Sequence, residues 1–311
     1  MAAAEHPEHD GSVAESELVL DEPKSVSDLL DVGERVLDDS TYIDAGHDAR
    51  DQAETLLAAV LGCEVEELAD GAADDHVPEA RLRERYLAWV ARRAAGEPIP
   101  LITGWAAFRG LQLRVKRGVF LPRPSSEFTV RRVLRRIGRR RSPVVVDLGT
   151  GSGAIAMAVA SEVPAAQVWG TDISALGLGC ARDNARRLGV GNVRFRQGDL
   201  FGALPRELAG GVDVIVGNIP YVLPEEIGMM PAEIVEYEPL DTLTDGSADG
   251  LDLLRRVAGE APEWLASRGW LMLQVNEESG EEVAGLLDGF GYRTEVHGAD
   301  DSWDVIVEAR R

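Results

Sequence analysis

The feature that most constrains this chain is a regular alternation of short apolar runs and helical segments from Pro143 to the C-terminus. Strand-like runs such as VVVDLG, QVWGTD, VRFRQGD, VDVIVGN and WLMLQVN alternate with helical segments such as AIAMAVASE and ALGLGCARDNARRLG. This alternation predicts an α/β fold with a doubly wound, mostly parallel sheet. The last two runs, YRTEVHG and WDVIVEAR, have no helix between them, so we expect one of these strands to be antiparallel.

The residues before this alternation predict a different organisation. Three amphipathic helices within residues 25–97 are expected to form a small bundle, because apolar residues recur at helical spacing in SVSDLLDVGERVLDD, DARDQAETLLAAVLG and PEARLRERYLAWVARRAAGEP. Residues 98–125 are rich in Gly, Pro and β-formers, and Gly110 between WAAFR and LQLRV predicts a β-hairpin connector. The acidic residues 1–24 show little periodicity and predict a disordered tail. The alternating domain then spans residues 126–311.

Composition excludes several classes of protein. No apolar run approaches the roughly 20 residues that a transmembrane helix needs, and the acidic N-terminus does not resemble a secretory signal. The formal net charge of −22 disfavours extended contact with nucleic acid. The two cysteines are far apart and the five histidines have no ligand spacing, which argues against a metal site. We therefore expect a cytoplasmic protein that binds no membrane and no metal. We also expect it to be a monomer.

A glycine-rich loop, DLGTGSGA, follows the first strand of the alternating domain. Gly149 and Gly151 allow a tight turn and a close approach to a ligand. Asp172 ends the next strand, where a carboxylate can accept hydrogen bonds from ribose hydroxyls. The loop fits both a dinucleotide fingerprint and the S-adenosylmethionine version, and Asp147 with the extra Gly153 favours the second. From the loop alone, NAD and S-adenosylmethionine both stay open.

The segment QGDLF, at the end of the third strand, offers a second candidate contact to a cofactor. Asp199 can reach an adenine amino group in this fold, and Leu200 can flank the ring. A turn with a helix N-cap would also use aspartate.

The fourth strand leads into NIPY, residues Asn218 to Tyr221, at the sheet edge where such folds bind ligands. The Asn218 amide oxygen and the Ile219 backbone carbonyl can accept the two protons of an –NH₂ group. Pro220 fixes the backbone, and Tyr221 can pack against a planar substrate group. A strand-ending turn would also use Asn and Pro. The position of NIPY favours a site for a planar amide or amino group.

With these motifs the chain resembles the release-factor glutamine methyltransferases over about residues 25–311. The resemblance lies in ARRAAGEPIPLITGWAAFRGLQL, FLPRPSSE, DLGTGSGAIA, NIPY and YEPLDTLTDGSADGLDLLRRV. It implies a Rossmann-like class I methyltransferase with a seven-stranded sheet, a helical substrate-recognition domain, a hairpin connector and S-adenosylmethionine as cofactor. The implied reaction methylates the side-chain amide nitrogen of the glutamine in the Gly-Gly-Gln motif of peptide chain release factors, which would be the protein partners.

The resemblance also implies roles for individual residues. The expected catalytic and substrate-binding residues are Asn218, Ile219, Pro220 and Tyr221. The expected cofactor-binding residues are Gly149, Thr150, Gly151, Ser152, Gly153, Asp172, Asp199, Leu200 and Asn218. Arg123 and Glu127 fall where the family has a loop near the cofactor.

The chain departs from the family pattern in several places. The family usually has Asn-Pro-Pro-Tyr where this chain has NIPY, and PRPDTE where it has PRPSSE. Gln274 and Asn276 stand where the family tends to have Glu and Gly, and Leu200 where it often has an aromatic residue. The NIPY form also resembles ribosomal RNA adenine dimethylases. Methylation of an amino group in RNA or in a small molecule, and a non-catalytic cofactor-binding paralogue, are therefore the alternative functions.

The segment RRVLRRIGRRR places seven arginines in one predicted helical stretch. They could contact RNA. They could also form a solvated helix face that pairs with the many carboxylates of the chain, which the net charge favours. The seven are Arg131, Arg132, Arg135, Arg136, Arg139, Arg140 and Arg141.

Overall fold

A computed structural model describes residues 23, 25–42, 48–69, 78–299 and 303–311. These residues fall into two compact units, the first within Met1–Asp39 and Ala45–Val90, the second within Ser40–Asp44 and Ala91–Arg311. Apart from Pro23, the predicted tail of residues 1–24 lies outside the described residues. None of the helices described is both long and apolar enough to span a bilayer.

The first helices of the chain are α1 (Val26–Asp38), α2 (Ala49–Leu61), α3 (Val65–Ala69) and α4 (Ala80–Ala94). The three predicted helices are present, and the short α3 was not predicted. The side chain of Ser25 caps α1, and Gly62 ends α2 in the left-handed conformation. Gly33 allows α1 to lie against Tyr86, since a Cβ there would come within 1.9 Å of the tyrosine hydroxyl.

The predicted hairpin is also present. After the short helix α5 (Ile99–Thr103), β1 (Trp105–Phe108) pairs antiparallel with β2 (Leu111–Arg114). Arg109 and Gly110 form the two-residue turn, with φ of 47° and 72°. Two positive φ angles give the turn a twist that matches the strands it joins.

The central sheet has seven strands in the order β5-β4-β3-β6-β7-β9-β8. The strands are β3 (Val144–Leu148), β4 (Gln167–Asp172), β5 (Val193–Gln197), β6 (Val212–Gly217), β7 (Leu265–Asn276), β8 (Arg293–Gly298) and β9 (Asp304–Arg310). The pairs from β5 to β7 are parallel, and β9 is antiparallel to both of its neighbours. The prediction of one antiparallel strand at the C-terminus is therefore confirmed.

Helices cover both faces of this sheet. They are α6 (Ser126–Ile137), α7 (Ala154–Glu162), α8 (Ala175–Leu188), α9 (Ala232–Tyr237), α10 (Asp252–Trp264) and α11 (Gly280–Gly289). Apolar residues of α6, α7 and α8 share one core with one face of the sheet, and those of α10 and α11 share another core with the opposite face. Since both faces are buried, the central strands are almost continuously apolar, as their sequences predicted.

The arginine-rich segment does not form one solvated helix. Helix α6 ends at Ile137, and Gly138 follows with a φ of 53°, so residues 139–141 lie beyond the helix. Arg132 is buried, and its Nε donates a 2.6 Å hydrogen bond to Oε1 of Glu308. Arg136 donates to Oε2 of the same carboxylate at 2.5 Å. The predicted pairing with carboxylates is thus confirmed for these two arginines. The predicted solvated position is wrong for Arg132, because α6 packs on the sheet directly over a glutamate of β9.

Two further titratable side chains lie near Glu308. A carboxylate oxygen of Glu308, a carboxylate oxygen of Glu295 and a ring nitrogen of His297 all lie within 4.8 Å of one another. Arg136 bonds to both carboxylates, which supplies the positive charge that this cluster needs.

We predict that Glu308→Gln lowers the free energy of unfolding by about 3–5 kcal/mol, because it leaves two arginines facing a neutral group in a buried position. Urea unfolding followed by circular dichroism measures the change. The control is Arg255→Gln, at an exposed ion pair with Asp249, which should leave stability nearly unchanged because solvent screens the pair. Equal effects of the two substitutions would contradict a structural role for the buried pair.

Candidate functional site

The carboxyl ends of β3, β4 and β6 meet at a cavity of about 210 Å³, which we call the glycine-loop cavity. It is lined by Gly149, Gly151, Asp172, Ser174, Gly177, Asp199, Leu200, Asn218 and others. Parallel strands place their carboxyl ends at one edge of a sheet, so motifs far apart in sequence come together there.

The glycine loop approaches the NIPY segment closely. Gly149 has a φ of 65°, and a Cβ at this residue would lie 3.2 Å from Cγ2 of Ile219. Gly151 has a φ of 54°. A Cβ added at Gly177 would lie 3.2 Å from the Gly151 carbonyl oxygen. Side chains at these positions would be strained or crowded, so glycine keeps the cavity open.

The carboxylate of Asp172 holds the glycine loop in place. Its Oδ2 accepts a hydrogen bond from the Gly151 N–H at 2.8 Å, and its Oδ1 accepts one from the Ser174 N–H at 2.7 Å. A carboxylate oxygen can accept two hydrogen bonds, so this group can also accept from the hydroxyls of a ribose. Burial raises the pKa of Asp172, which the two backbone hydrogen bonds oppose.

Asp147 lies beneath the loop and is buried. Its Oδ2 accepts hydrogen bonds from the Thr150 hydroxyl at 2.6 Å and the Ala156 N–H at 3.2 Å. Burial raises its pKa to about 7, against the effect of these hydrogen bonds. Asp147 therefore joins the loop to the start of α7.

Only part of the predicted loop lines the cavity. Thr150 and Ser152 are buried and line a smaller adjoining space of about 40 Å³. Gly153 is the N-cap residue just before α7, and a Cβ there would lie 3.0 Å from that of Ala181. In the structure, Gly153 makes room for the packing of α7 against α8.

Asp199 and Leu200, which follow β5 and were predicted to contact a cofactor, both line the glycine-loop cavity. Leu200 is buried and has a φ of 45°, which is rare for a residue with a side chain. Strained backbone of this kind is common at ligand sites. Asp199 forms a 2.7 Å ion pair with Arg256, so its carboxylate is already partly neutralised.

A second space, which we call the larger cleft, has a volume of about 900 Å³. Asn218, Ile219 and Pro220 line both this cleft and the glycine-loop cavity, and Tyr221 lines the cleft. Phe120 and Thr242 line both spaces as well. The NIPY segment is therefore part of a wall that the two spaces share, where a group bound in one space lies close to the other.

The structure places Arg123 and Glu127 in the larger cleft. Arg123 also lines the small space beside the glycine loop and forms a 2.7 Å ion pair with Glu238. Burial raises the pKa of Glu238 to about 7, although Arg123 opposes this shift. Oε1 of Glu127 accepts a hydrogen bond from the Arg109 N–H at 2.9 Å, which ties α6 to the hairpin turn.

Sequence reasoning missed several lining residues. Pro239, Asp241 and Thr242 line the glycine-loop cavity, as does Phe120. The signal for them was present, because they lie in YEPLDTLTDG and FLPRPSSE, two segments that carried the family resemblance. Local sequence patterns did not predict that these residues line a cavity, since no strand or glycine loop comes directly before them.

The lining of the cavity offers polar groups that suit the cofactor expected from the sequence. The side-chain oxygen of Thr171 is buried at the cavity and lacks a hydrogen-bond partner among the described residues. Together with the Asp172 carboxylate it supplies polar groups suited to ribose hydroxyls, and the glycines let a ligand approach the backbone.

Known protein families match both the N-terminal helical region and the domain with alternating strands and helices. A family model described as "Methyltransferase domain" matches residues 140–273, and one described as "PrmC N-terminal domain" matches residues 28–104. The release factor glutamine methyltransferase of Burkholderia pseudomallei is 39% identical over 245 residues, 77% of this chain and 84% of that protein. The protein of the same name from Bordetella pertussis is 38% identical over 250 residues, 80% of this chain and 90% of that protein.

We predict that Asp172→Ala raises the dissociation constant of S-adenosylmethionine by about 100-fold, because charge-assisted hydrogen bonds to the ligand and to the loop are lost. Isothermal titration calorimetry measures the constant. Asp183→Ala, which removes an exposed carboxylate from α8, is the matched control and should bind as the wild type does. Unchanged binding by Asp172→Ala would exclude the ribose contact.

A second prediction concerns pH. The pKa of Asp147 rises from 3.8 to about 7 on folding, so between these values the folded chain binds more protons than the unfolded chain. The stability that this group contributes is therefore full below about pH 4 and is lost as the pH rises to about 7. Asp147→Asn removes this dependence. The melting temperature of the variant minus that of the wild type should thus increase from pH 5 to pH 8, and a constant difference would contradict the raised pKa.

Proposed function

Because this chain belongs to the release factor glutamine methyltransferase family, we propose that it methylates the side-chain amide nitrogen of a glutamine in a peptide chain release factor, within the Gly-Gly-Gln motif. Its cofactor is S-adenosylmethionine, so family membership decides between the two cofactors that the glycine loop left open. The observation that carries the proposal is the position of NIPY as the shared wall of the glycine-loop cavity and the larger cleft.

In this proposal, NIPY holds the acceptor nitrogen. S-Adenosylmethionine, when bound, supplies an activated methyl group. An amide nitrogen is a poor nucleophile, because its lone pair is delocalised into the carbonyl. The Asn218 side-chain oxygen and the Ile219 carbonyl accept its two N–H groups, which orient the nitrogen and help it to rehybridise. The proton can leave after transfer, so no dedicated base is needed at the start.

Tyr221 forms the wall against which the planar amide packs. Burial raises the pKa of its phenol, and the charge of Asp304 acts in the same direction. The ring therefore stays neutral at physiological pH and offers an apolar face to the acceptor.

The isoleucine of NIPY is compatible with this role. The Ile219 side chain is 3% exposed and belongs to the core of the sheet, where it packs beneath Gly149 and Gly217. The proposed hydrogen bond uses the backbone carbonyl of Ile219. Replacement of the usual proline therefore changes the packing below the loop and retains the acceptor atom.

The remaining parts of the chain receive roles in the same proposal. Residues 25–97 form the domain that recognises the release factor, and the match of residues 28–104 to the PrmC N-terminal domain supports this. Residues 126–311 carry the chemistry, and residues 98–125 connect the two. The enzyme acts as a cytoplasmic monomer.

The test is methyl transfer from labelled S-adenosylmethionine to purified release factor. Labelling that disappears when the glutamine of Gly-Gly-Gln is replaced by alanine supports the proposal. Ribosomal RNA and a cell extract serve as parallel acceptors. Labelling of RNA adenine alone would favour the amino-group alternative, and cofactor binding without any labelled product would favour a non-catalytic paralogue.

We predict that Asn218→Ala lowers kcat by about 100-fold or more, because the loss of one of two positioning hydrogen bonds is felt in the transition state. The dissociation constant of S-adenosylmethionine should change far less. Asn276→Ala is the matched control, since Asn276 also ends a strand at this sheet edge, and its side chain instead accepts from the Ser279 N–H. Normal turnover of Asn218→Ala would contradict the role of Asn218 in positioning the acceptor nitrogen.

A further inference from the structure

Glu238 is a buried carboxylate that the proposed mechanism does not use. It directly follows α9, and its side chain is 1% exposed. Its Oε1 forms the 2.7 Å ion pair with Arg123, whereas its Oε2 is buried and has no hydrogen-bond partner among the described residues. A buried carboxylate oxygen without a donor costs free energy. The stability of the fold therefore does not explain why a carboxylate stands at this position.

The cation that Glu238 binds also lies on an aromatic ring. The guanidinium carbon of Arg123 lies over the ring of Phe120, 4.6 Å from its centroid. A guanidinium group is planar and always charged, so it can stack on an aromatic face while its N–H groups bond to a carboxylate. Arg123 therefore connects the position of the Glu238 carboxylate to the position of the Phe120 ring.

Phe120 borders three neighbouring spaces. It lines the glycine-loop cavity, the larger cleft and the small space beside the glycine loop. Asn218, which we assign to the acceptor nitrogen, lines the same three spaces. Phe120 therefore borders the region where the methyl donor and the acceptor must meet, and its position affects how well they align.

Other contacts already anchor α9. Glu233, in the first turn of this helix, forms a 2.7 Å ion pair with Arg93, whose side chain is 4% exposed. Arg117 lies over the ring of Tyr237, 4.9 Å from its centroid. Since these contacts hold α9 in place, the carboxylate of Glu238 is not needed to anchor the helix.

We propose that Glu238 is a positioning residue for methyl transfer, which acts through the guanidinium of Arg123 to hold the Phe120 ring at the junction of the glycine-loop cavity and the larger cleft. Glu238 is not among the described residues that line these two spaces, so it acts through its partner. This inference rests on the proposed function, because it takes the two spaces to hold the methyl donor and the acceptor.

The first test is Glu238→Gln, which keeps the shape of the side chain and removes the charge that holds Arg123. The full-length chain is assayed at pH 8, where the wild-type carboxylate is ionised because its pKa is about 7. Methyl transfer from labelled S-adenosylmethionine to purified release factor gives kcat and KM. We expect kcat to fall about 30-fold, because a displaced Phe120 disturbs the alignment of donor and acceptor. The dissociation constant of S-adenosylmethionine, measured by calorimetry, should rise at most about threefold, since the glycine loop keeps its contacts.

The matched control is Glu233→Gln, which breaks the other ion pair between this part of the chain and an arginine. Both carboxylates have their arginine at 2.7 Å. Glu233→Gln should keep kcat within about threefold of the wild type, because the support of Phe120 is intact. Thermal unfolding of both variants measures any loss of stability separately from kcat.

A second variant tests the stacked guanidinium. Arg123→Lys keeps a positive charge beside Glu238 and loses the planar group that lies on Phe120. We expect kcat to fall as much as in Glu238→Gln, by about 30-fold. Since the Arg123 side chain is 26% exposed, this variant tests the proposal even if Glu238→Gln is too unstable to assay.

A double-mutant cycle links the effect to the aromatic ring. Phe120→Leu keeps an apolar side chain and removes the aromatic face on which Arg123 lies. In this background Glu238→Gln should lower kcat by less than about threefold, because the effects of residues that act as a unit are not additive. A full additional loss of about 30-fold would show that Glu238 acts independently of the ring.

The outcomes distinguish the two proposals. If the wild type methylates the release factor and Glu238→Gln retains its kcat, or if Glu233→Gln lowers kcat equally, the role of Glu238 is overturned while the proposed function stands. Additive effects of Glu238→Gln and Phe120→Leu would lead to the same conclusion. If the wild type methylates no release factor, the proposed function itself fails, and the role of Glu238 fails with it.

Discussion

The site depends on the close packing of the glycine loop against the NIPY segment. A Cβ at Gly149 would lie 3.2 Å from Ile219, and one at Gly217 would lie 3.3 Å from the same side chain. This contact holds the glycine loop, which lines the glycine-loop cavity, against a segment that lines both that cavity and the larger cleft. Methyl transfer needs donor and acceptor in line and at short range, which is what the proposed mechanism requires of this wall.

Arginine links the elements around this site in a chain whose net charge is −22. Arg132 and Arg136 hold α6 on β9 through Glu308, and Arg123 joins the segment before α6 to Glu238 after α9. Each pair buries a carboxylate, which would be costly without a cation that bonds to it directly. Glu308 and Glu238 are therefore paired with arginine, whereas the buried carboxylate of Asp147 is held by a hydroxyl and a backbone N–H.

The sequence predicted the parts of the site that depend on local structure. Gly149, Gly151, Asp172 and Leu200 line the cavity, and each lies at or soon after the end of a strand whose apolar run is easily recognised. The predictions for Thr150, Ser152 and Gly153 were less informative, since a loop motif does not tell which residues face the ligand and which support the helix behind it. Pro239 and Asp241 were missed, because their segment reaches the cavity from a distant part of the chain.

By itself the sequence determined the order of strands and helices, the antiparallel end of the sheet and the placement of NIPY at its carboxyl edge. These follow from apolar periodicity and turn residues, which act over a few positions. Only the tertiary structure decided that the arginines of α6 pair with Glu308, and that Ser125, Gln274 and Asp304 form one arrangement. Most of these contacts join residues more than 140 positions apart, as Arg132 and Glu308 do at a separation of 176, and Gln274 and Asp304 are 30 apart. No local pattern encodes a partner at such distances.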